Sequence, residues 1–554
     1  MYSDKENINT LTALLVAHGI EHAVVCPGSR NAPIVHNLET CPQIACHAVT
    51  DERSAGFYAL GLAQSTGQPV AVCVTSGTAL LNLLPAVAEA KYQHVPLVVV
   101  SADRPRQWID QLDGQTLPQG GALQPYVRHS VVLPEPSCDE ERWLCNRLVN
   151  EALSLCRHRV PCPVHINVPI TEPLFQFTRK RLPKERTFKF CPVVHASVRI
   201  GDLEPMLKRS RRPMFVFGCS NESVLDEELL GILSRNFVTL YEPLMADAVE
   251  AVHFDEPLAW IKDEEEAYRP DLIIYIGGTL VSKRLRHFLR RSAAPTLLLT
   301  LDATAIPDPT MHLERIVELS DRTDLLQLVE RMADYCMGQV EPAFLDRWIQ
   351  DLSSADDWAF TFEPRYSQMA AVKYFEEQLD DLGTEVSVHY ANSTAVRLAC
   401  IYAQHRVWCN RGVNGIEGSL STAAGFSLGT QQLVVCVVGD LSFFYDQNAL
   451  WNSALRGNLR IILLNNHRGG IFGMLPGLSE SPVAQTSVAG AHAVSARGIC
   501  SQCDIGYLQA TNMEEMQMGI VTLLTRDAQR PMVLEVVTDA DVDNEEMKRY
   551  YKNN

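Results

Sequence analysis

The 554-residue chain is too long for a single hydrophobic core, and its length predicts several domains. Hydrophobic residues make up 46% and charged residues 21% of the sequence, which is typical of a folded globular protein and excludes a disordered or collagen-like chain. The 48 Lys and Arg residues are outnumbered by 66 Asp and Glu residues, and the net charge of -18 argues against sequence-independent binding to nucleic acids.

The cysteines and the N-terminal segment predict a reducing, cytoplasmic setting without membrane insertion. Most of the 16 Cys residues lie in apolar runs and are interpreted as small buried side chains. Cys500 and Cys503 have the spacing of a metal or redox pair, but no second pair or His cluster accompanies them, which favours a structural role. The N-terminus lacks the basic start of a cleavable signal. No run reaches the ~18 apolar residues that a membrane helix needs.

The first part of the chain alternates strand-like apolar runs with segments of helical periodicity, a pattern typical of parallel βα units. One helix is predicted over residues 78–93. Strands are predicted within residues 21–30, 68–77, 95–105 and 161–170. Together these elements predict an α/β domain over residues 1–180. The basic, proline-interrupted stretch from 179 to 195 predicts a linker.

Two further α/β domains are predicted, over residues 195–340 and 365–554, with a helical connector near residues 340–380. No G-x-G-x-x-G follows a strand of the middle domain, so nicotinamide binding is not favoured. Strands are predicted within residues 212–220, 272–279, 295–302, 385–393, 406–412, 432–440, 459–466 and 531–539. The sequence therefore predicts three doubly wound, mainly parallel-sheet α/β domains.

Two consecutive strands of the third domain end in polar residues. Gly439 and Asp440 close the first strand, Asn465 and Asn466 close the second, and a helix is predicted between them over residues 443–456. The carboxyl ends of parallel strands form the edge where open α/β sheets bind ligands. Carboxylate and amide oxygens suit Mg²⁺, and two glycines just beyond would let backbone amides approach a diphosphate. For either pair taken alone, ordinary capping of a strand end is about as good an explanation as a metal or diphosphate site.

The spacing of the two pairs, about 25 residues across one strand-helix-strand crossover, resembles the cofactor motif of thiamine-diphosphate enzymes. That motif usually reads Gly-Asp-Gly, whereas Leu441 stands at its third position here. The resemblance implies thiamine diphosphate with Mg²⁺, or Mn²⁺ in its place. The implied metal ligands are Asp440, Asn466 and the backbone carbonyl of Arg468, and the implied cofactor contacts include Gly439, Asp440, Leu441, Ser442 and Asn466.

A second element lies in the first domain, where Glu52 opens a predicted helix after a strand. Taken alone, an acid at this position is explained by the helix dipole. In thiamine-diphosphate enzymes, however, a glutamate in this region binds the aminopyrimidine ring, and the resemblance implies that Glu52 promotes removal of the thiazolium proton. Ile416 resembles the apolar side chain that holds the cofactor bent. Ile471, Phe472 and Leu475 are expected to form a water-poor wall.

The resemblance covers essentially the whole chain and implies the family's domain order: pyrimidine-binding, middle and diphosphate-binding. Sites in this family lie between the first domain of one subunit and the third domain of another. A homodimer is therefore the expected minimum, with a dimer of dimers as the alternative.

Several segments narrow the resemblance to one branch of the family, and they lie at residues 26–33, 101–110, 281–288, 391–399 and 410–425. That branch decarboxylates 2-oxoglutarate and adds the succinyl semialdehyde carbanion to isochorismate in menaquinone biosynthesis. Both substrates carry carboxylates, and an Arg side chain can bind a carboxylate through two parallel hydrogen bonds. The resemblance assigns Ser393 and Arg397 to 2-oxoglutarate, and Ser29, Arg30, Arg104, Gln115 and Lys283 to isochorismate. Arg284, Arg411, Phe472 and Leu475 are further expected substrate contacts, although simple solvation explains Arg284 equally well.

Two other functions agree less well with the sequence. An acetolactate-synthase-like carboligase or a simple 2-oxo acid decarboxylase needs an apolar pocket for a small group, and the cations in the matching segments disfavour it. A catalytically silent nucleotide-binding or regulatory protein with the same fold is disfavoured because Glu52, Asp440 and Asn466 are all present.

Overall fold

The computed structural model describes residues 1–188, 190, 200–248, 252–261, 265–380, 382–474, 477–478 and 481–552. These residues form three sheets in which every strand pairing is parallel. Helices lie between the strands in sequence, so the predicted fold class of three parallel-sheet α/β domains is confirmed.

The first sheet contains β1 (His22–Val25), β2 (Ala45–Ala48), β3 (Val70–Val74), β4 (Leu97–Asp103), β5 (His129–Val132) and β6 (Val164–Pro169). Its strand order is β2-β1-β3-β4-β6-β5. Its helices are α1 (Glu6–Ala17), α2 (Ala32–Thr40), α3 (Glu52–Thr66), α4 (Thr78–Asn82), α5 (Leu84–Tyr92) and α6 (Asp139–Cys156). The helix predicted over 78–93 is thus divided in two, because Pro85 begins a new helix at the first turn of α5.

The second sheet contains β7 (Pro213–Phe217), β8 (Val238–Tyr241), β9 (Leu272–Ile276), β10 (Thr296–Thr300) and β11 (Leu313–Glu318), in the order β11-β10-β9-β7-β8. Its helices are α7 (Glu204–Arg209), α8 (Glu227–Asn236), α9 (Asp255–Trp260), α10 (Glu265–Tyr268), α11 (Lys283–Ser292) and α12 (Arg322–Cys336). The predicted helical connector to the third sheet is confirmed as α13 (Pro342–Thr361) and α14 (Gln368–Asp380).

The third sheet contains β12 (Val386–Tyr390), β13 (Val407–Trp408), β14 (Leu433–Gly439), β15 (Leu459–Asn465), β16 (Gly506–Ala510) and β17 (Met532–Val537). Its order, β13-β12-β14-β15-β17-β16, repeats that of the first sheet. Its other helices are α15 (Thr394–Tyr402), α16 (Ser419–Gly429), α17 (Asp440–Tyr445), α18 (Arg497–Gln502), α19 (Met513–Thr525) and α20 (Ala540–Tyr551). The long helix predicted over 443–456 is wrong: α17 ends at Tyr445, and only a short 3-10 turn, Gln447–Leu450, follows it.

Two further features bear on the setting of the protein. Among the residues that the structure describes, no helix is long and apolar enough to cross a membrane. The cysteines of the described segments are all free, and Cys500 lies in a hydrophobic core against which Cys503 packs, as a structural role predicts.

Helices α3 and α16 join the first and third domains in direct backbone contact. A Cβ atom on Gly61 of α3 would lie 1.9 Å from the carbonyl oxygen of Thr422 on α16. Reciprocally, a Cβ atom on Gly425 of α16 would lie 2.2 Å from the carbonyl oxygen of Tyr58 on α3. The two helices approach this closely only because neither glycine carries a side chain.

The Gly61→Ala variant is therefore expected to lose stability, because the added methyl group must push two packed backbones apart. The cost should reach about 3 kcal/mol, the upper range for an overpacked core, and thermal unfolding of the full chain should occur at a clearly lower temperature. Gly498→Ala is the matched control, since this helical glycine of α18 has no neighbouring heavy atom within 4 Å of an added Cβ. Equal melting temperatures for the two variants would contradict the proposed close contact.

Candidate active site

Asp440 and Asn466 lie side by side at the carboxyl edge of the third sheet. Strand β14 ends at Gly439, directly before Asp440, and β15 ends directly before Asn466. The two strands pair in parallel, so their carboxyl ends meet at the same edge. Asp440 is 4% exposed and Asn466 8% exposed, so both polar groups are held out of bulk water.

One carboxylate oxygen of Asp440 lacks a hydrogen-bond partner. Oδ1 accepts a hydrogen bond of 2.7 Å from the backbone N–H of Leu441, whereas the buried Oδ2 accepts none from the described residues. His492 Nε2 lies 3.3 Å from Oδ2. Burial raises the pKa of Asp440, and the Leu441 N–H and the neighbouring His492 oppose that rise. A buried oxygen without a donor is suited to bind a cation.

The orientation of Asn466 is fixed by a buried carboxylate. Its Nδ2 donates a hydrogen bond of 2.9 Å to Asp543, so the amide oxygen faces the other way. That oxygen receives only a long contact of 3.4 Å from the backbone N–H of Arg468. Burial raises the pKa of Asp543 to about 6. No sequence pattern pointed to Asp543, which lies on α20, far from the motif along the chain.

The surroundings of these two residues fit a hard cation held with a diphosphate. Among the described residues, no group of three or more His, Cys, Asp or Glu side chains could hold a metal ion. A cation here would therefore use one carboxylate, one amide oxygen, backbone carbonyls and oxygens of a bound phosphate or water, the set that Mg²⁺ prefers. A Cβ on Gly439 would have no heavy atom within 4 Å, which leaves open space beside Asp440.

The other residues of the predicted cofactor motif lie nearby in the chain. Leu441 and Ser442 belong to the first turn of α17, and Ser442 is buried. The Arg468 guanidinium pairs with Asp541 of α20. Ile471 and Phe472 are half-buried on a 3-10 turn, Gly470–Met474. Leu475 lies outside the described residues.

Glu52 opens α3 next to a residue that caps the helix. The Asp51 side chain accepts a hydrogen bond of 3.1 Å from the backbone N–H of Ser54, which fixes the first turn. The half-buried Glu52 receives a hydrogen bond of 3.3 Å from the Asn82 side chain. Arg53 and Asp51 both reach the third domain, and Arg53 donates a hydrogen bond of 2.8 Å to the backbone oxygen of Tyr445. The start of α3 is thus held between two domains.

Four predicted substrate contacts lie at the carboxyl edge of the first sheet: Ser29, Arg30, Arg104 and Gln115. Arg30 is buried and donates hydrogen bonds to the backbone oxygen of Ile170 and to Glu172, at 3.1 and 3.3 Å. Arg104 follows β4 and lies 3.3 Å from Asp113. Gln115 has a φ of 57° and its backbone packs against Gly77, where an added Cβ would lie 3.2 Å from it.

The remaining predicted cations meet where the middle and third domains join. Lys283 and Arg284 begin α11, and Arg284 Nη1 pairs with Asp255 at 2.6 Å. Arg411 donates hydrogen bonds to Asn392 at 3.1 Å and to the backbone oxygen of Leu280 at 3.4 Å. Lys283 thus begins a helix of the middle domain, whereas the other residues that the resemblance assigns to isochorismate lie in the first domain.

Arg397 is the half-buried cation of this group that lacks a partner. It lies on α15, in the turn after Ser393, which precedes the helix with a φ of 76°. No hydrogen bond or ion pair joins its guanidinium to another described residue, although Arg411 is close enough that, with burial, it lowers the pKa of Arg397. Two neighbouring cations, one of them unpaired, favour the binding of an anion between them.

Two buried carboxylates hold the segments that carry these cations, and sequence patterns did not reveal them. Glu89 of α5 accepts hydrogen bonds of 2.7 Å from the backbone N–H groups of Gly412 and Val413, just beyond Arg411. Glu242 accepts bonds of 2.7 Å from the N–H groups at 281 and 282, just before α11. Burial raises the pKa of Glu242 to about 7. Both acids follow ordinary apolar runs in the sequence, so only the fold identifies them.

Comparison with known proteins places this geometry in a family. Residues 8–127 match the N-terminal TPP binding domain of the thiamine pyrophosphate enzymes, and residues 391–536 match their C-terminal TPP binding domain. The 2-succinyl-5-enolpyruvyl-6-hydroxy-3-cyclohexene-1-carboxylate synthase of Bacteroides thetaiotaomicron is 42% identical, over 100% of this chain and 99% of that protein. Synthases of the same name from Bacteroides fragilis and Phocaeicola vulgatus are 41% and 39% identical, each over 100% of this chain and 99% of the relative. The chain therefore belongs to the 2-succinyl-5-enolpyruvyl-6-hydroxy-3-cyclohexene-1-carboxylate synthase family and is a thiamine-diphosphate-dependent enzyme.

Proposed function

We propose that the enzyme decarboxylates 2-oxoglutarate and adds the remaining succinyl semialdehyde unit to isochorismate, with thiamine diphosphate and Mg²⁺, in menaquinone biosynthesis. Family membership supports the reaction type. The observation that carries the substrate assignment is the unpaired, half-buried Arg397 beside Arg411, since a dicarboxylic 2-oxo acid supplies the anion that this pair lacks. A substrate with a small apolar group would leave the cations unpaired.

Residues at different positions in the site have different proposed roles. Asp440, Asn466 and the carbonyl of Arg468 hold the metal ion, and Gly439, Leu441 and Ser442 line the diphosphate. The bound cofactor supplies the electron sink for decarboxylation. Glu52 holds a proton at the aminopyrimidine ring. Four apolar residues support the cofactor and exclude water from the reacting carbon: Ile416, Ile471, Phe472 and Leu475.

The substrate cations form two proposed groups. Ser393 and Arg397 bind 2-oxoglutarate, and Arg411 and Arg284 add positive charge beside them. The residues assigned to isochorismate are Ser29, Arg30, Arg104, Gln115 and Lys283. Lys283 begins α11 of the middle domain, and under this proposal a second subunit brings the first-domain group to it.

A homodimer is the minimum assembly under this proposal. Large apolar side chains are exposed around the start of α3 and along the cofactor-binding segments. They are Leu81 at 38%, Val413 at 49%, Ile416 at 42%, Tyr445 at 52% and Trp451 at 65%. A second chain would cover these side chains and bring Glu52 of one subunit to Asp440 of the other.

The proposed domains span residues 1–180, 195–340 and 365–554, as pyrimidine-binding, middle and diphosphate-binding units. Each range contains one parallel sheet. The two family matches fall within the first and third ranges.

The proposed reaction is tested by direct product analysis. Purified enzyme incubated without oxygen with 2-oxoglutarate, isochorismate, thiamine diphosphate and Mg²⁺ should release carbon dioxide and form one adduct whose mass equals isochorismate plus the succinyl semialdehyde unit. Pyruvate in place of 2-oxoglutarate should give little product. Faster turnover of pyruvate would contradict the assignment and favour an acetolactate-synthase-like reaction.

Truncating Arg397 should weaken the use of 2-oxoglutarate selectively. The Arg397→Ala change removes a charge-assisted pair worth about 1.5 to 3 kcal/mol, which corresponds to roughly 10- to 150-fold in kcat/KM for that substrate. Arg104→Ala should instead raise the KM for isochorismate and spare carbon dioxide release from 2-oxoglutarate alone. Arg104 is preferable to the buried Arg30 for this test, because the Arg30 guanidinium also donates a hydrogen bond to the backbone oxygen of Ile170.

The exposed Arg209 of α7 provides the matched control, and Arg209→Ala should leave both constants unchanged. Equal impairment of both substrates by Arg397→Ala and Arg104→Ala would contradict the two-group assignment.

A further inference from the structure

A cleft of about 690 Å³ lies between the middle domain, the connector helix α13 and the third domain. Its wall includes Thr239, His253, Trp348, Asp356, Glu376 and Tyr402, and we call it the interdomain cleft. None of the residues that line it is among the predicted cofactor, metal or substrate contacts. Its volume falls in the range of sites for small molecules, which form preferentially between domains.

Tyr402 provides an unpartnered polar group in this wall. The residue is 8% exposed, and its buried hydroxyl makes no hydrogen bond with any described residue. Burial raises the pKa of Tyr402, so the hydroxyl remains neutral. Buried hydroxyls in folded proteins are nearly always hydrogen-bonded, which makes an unbonded one at a cleft a mark of a missing partner.

The charge that remains in the cleft is negative. Its two cationic side chains already have partners within the protein. Lys373 Nζ donates to the backbone oxygens of Phe360 and Phe362 at 3.0 and 2.8 Å. His253 contacts the backbone oxygen of Ile401 at 2.7 Å and Asp356 at 3.3 Å.

The carboxylates of the cleft are less completely paired. Glu376 accepts hydrogen bonds from Tyr390 and His405. Glu377 has only a long contact of 3.8 Å with Lys373, and no ion pair joins Asp357 to another described residue. Helix α15 also ends in this wall at Tyr402, and the carbonyl end of a helix adds partial negative charge. The local potential therefore favours a cation.

The rest of the wall is aromatic and aliphatic. Trp348 and Phe237 are buried beneath it, and Ile349 and Phe360 are exposed at 43% and 79%. Phe360 lies about one turn after Asp357 on α13, so a large exposed apolar side chain stands beside an exposed carboxylate. This arrangement suits a molecule with a charged head and an apolar body. We propose that the interdomain cleft binds an organic amine, with its protonated amino group near Asp357 and Glu377 and its aromatic or aliphatic body against Phe360.

Tryptamine and indole-3-propionate test this proposal as a matched pair, because they share an indole body and a two-carbon arm but carry opposite charges. Equilibrium dialysis with the full chain should show tryptamine binding at least about tenfold tighter than indole-3-propionate. The double variant Asp357→Asn/Glu377→Gln should weaken tryptamine binding at least about threefold, the scale of two exposed ion pairs. Tyr402→Phe should also weaken it, and added salt should weaken it further.

The control variant is Glu330→Gln, on an exposed position of α12 outside the cleft, and it should bind tryptamine like the parent chain. Because the substituted carboxylates are exposed, the double variant should melt at the parent's temperature, so a loss of binding would not reflect unfolding. The proposal is overturned by tighter binding of indole-3-propionate, by no tryptamine binding at millimolar concentration, or by equal binding to the parent and the cleft variants.

Discussion

Replacing Glu52 with Gln is expected to lower turnover at least about 100-fold while thiamine diphosphate stays bound, because the change removes a positioned proton-transfer group and little else. The side chain keeps its shape, and the Asp51 cap that fixes the helix start is untouched. The Asn82 contact can re-form with the amide oxygen of the new residue. The loss should therefore appear in kcat and not in cofactor affinity.

Steady-state rates at saturating substrates, together with equilibrium dialysis of thiamine diphosphate, provide the measurement. Glu39→Gln serves as a control, since Glu39 is an exposed acid of the same domain on α2. A Glu52→Gln enzyme with parental turnover would remove Glu52 from the reaction. A variant that loses the cofactor would show instead that Glu52 has a binding role.

Asp440→Ala is expected to abolish metal-dependent retention of thiamine diphosphate. Asp440 supplies the only carboxylate of the proposed metal site, and a hard cation gains little from the amide and carbonyl oxygens that remain. Within the described residues the carboxylate accepts one hydrogen bond, from the backbone N–H of Leu441, so the change costs the fold little beyond that bond. The readout is dialysis of the cofactor at varied Mg²⁺ concentration.

Asp527→Ala is the comparison for this change, because Asp527 is an exposed aspartate of the same domain. The parent and the control should retain more cofactor as Mg²⁺ rises, whereas Asp440→Ala should not respond. An unchanged Mg²⁺ dependence in Asp440→Ala would contradict the assignment of the motif.

The sequence predicted the central strands of each sheet and missed strands at the edges. Strands β5, β8, β11 and β16 were not predicted, and each lies at an edge of its sheet. Strand β11 reads LERIVE and is mostly exposed, so it lacks the apolar run that marks a buried strand. Central strands such as β4 are buried along their whole length and are therefore visible in the sequence.

The residues of the candidate site also form two groups, those that a sequence motif predicts and those that only the fold identifies. The positions of Asp440 and Asn466 at the carboxyl edge of the sheet can be predicted, because each residue follows a strand in a regular series of parallel βα units. Glu89 and Glu242 act through backbone groups of distant segments, and no local pattern predicts which N–H groups a buried carboxylate will meet. The division of the predicted helix 443–456 was likewise hidden, because Asp446 turns back to accept hydrogen bonds from Ser421 of α16.

The reciprocal contact of α3 and α16 has a consequence for how this sequence can diverge. Each helix presents a glycine to the backbone of the other, in domains whose sheets share one strand order. Such reciprocity is the mark of a twofold contact between identical partners, yet here both partners belong to one chain. Because the two helices belong to different halves of one chain, a substitution can alter one helix without altering the other. A side chain at Gly61 or at Gly425 would meet the backbone of the opposite helix, so the contact restricts both positions to the smallest residue while the rest of each helix is free to differ.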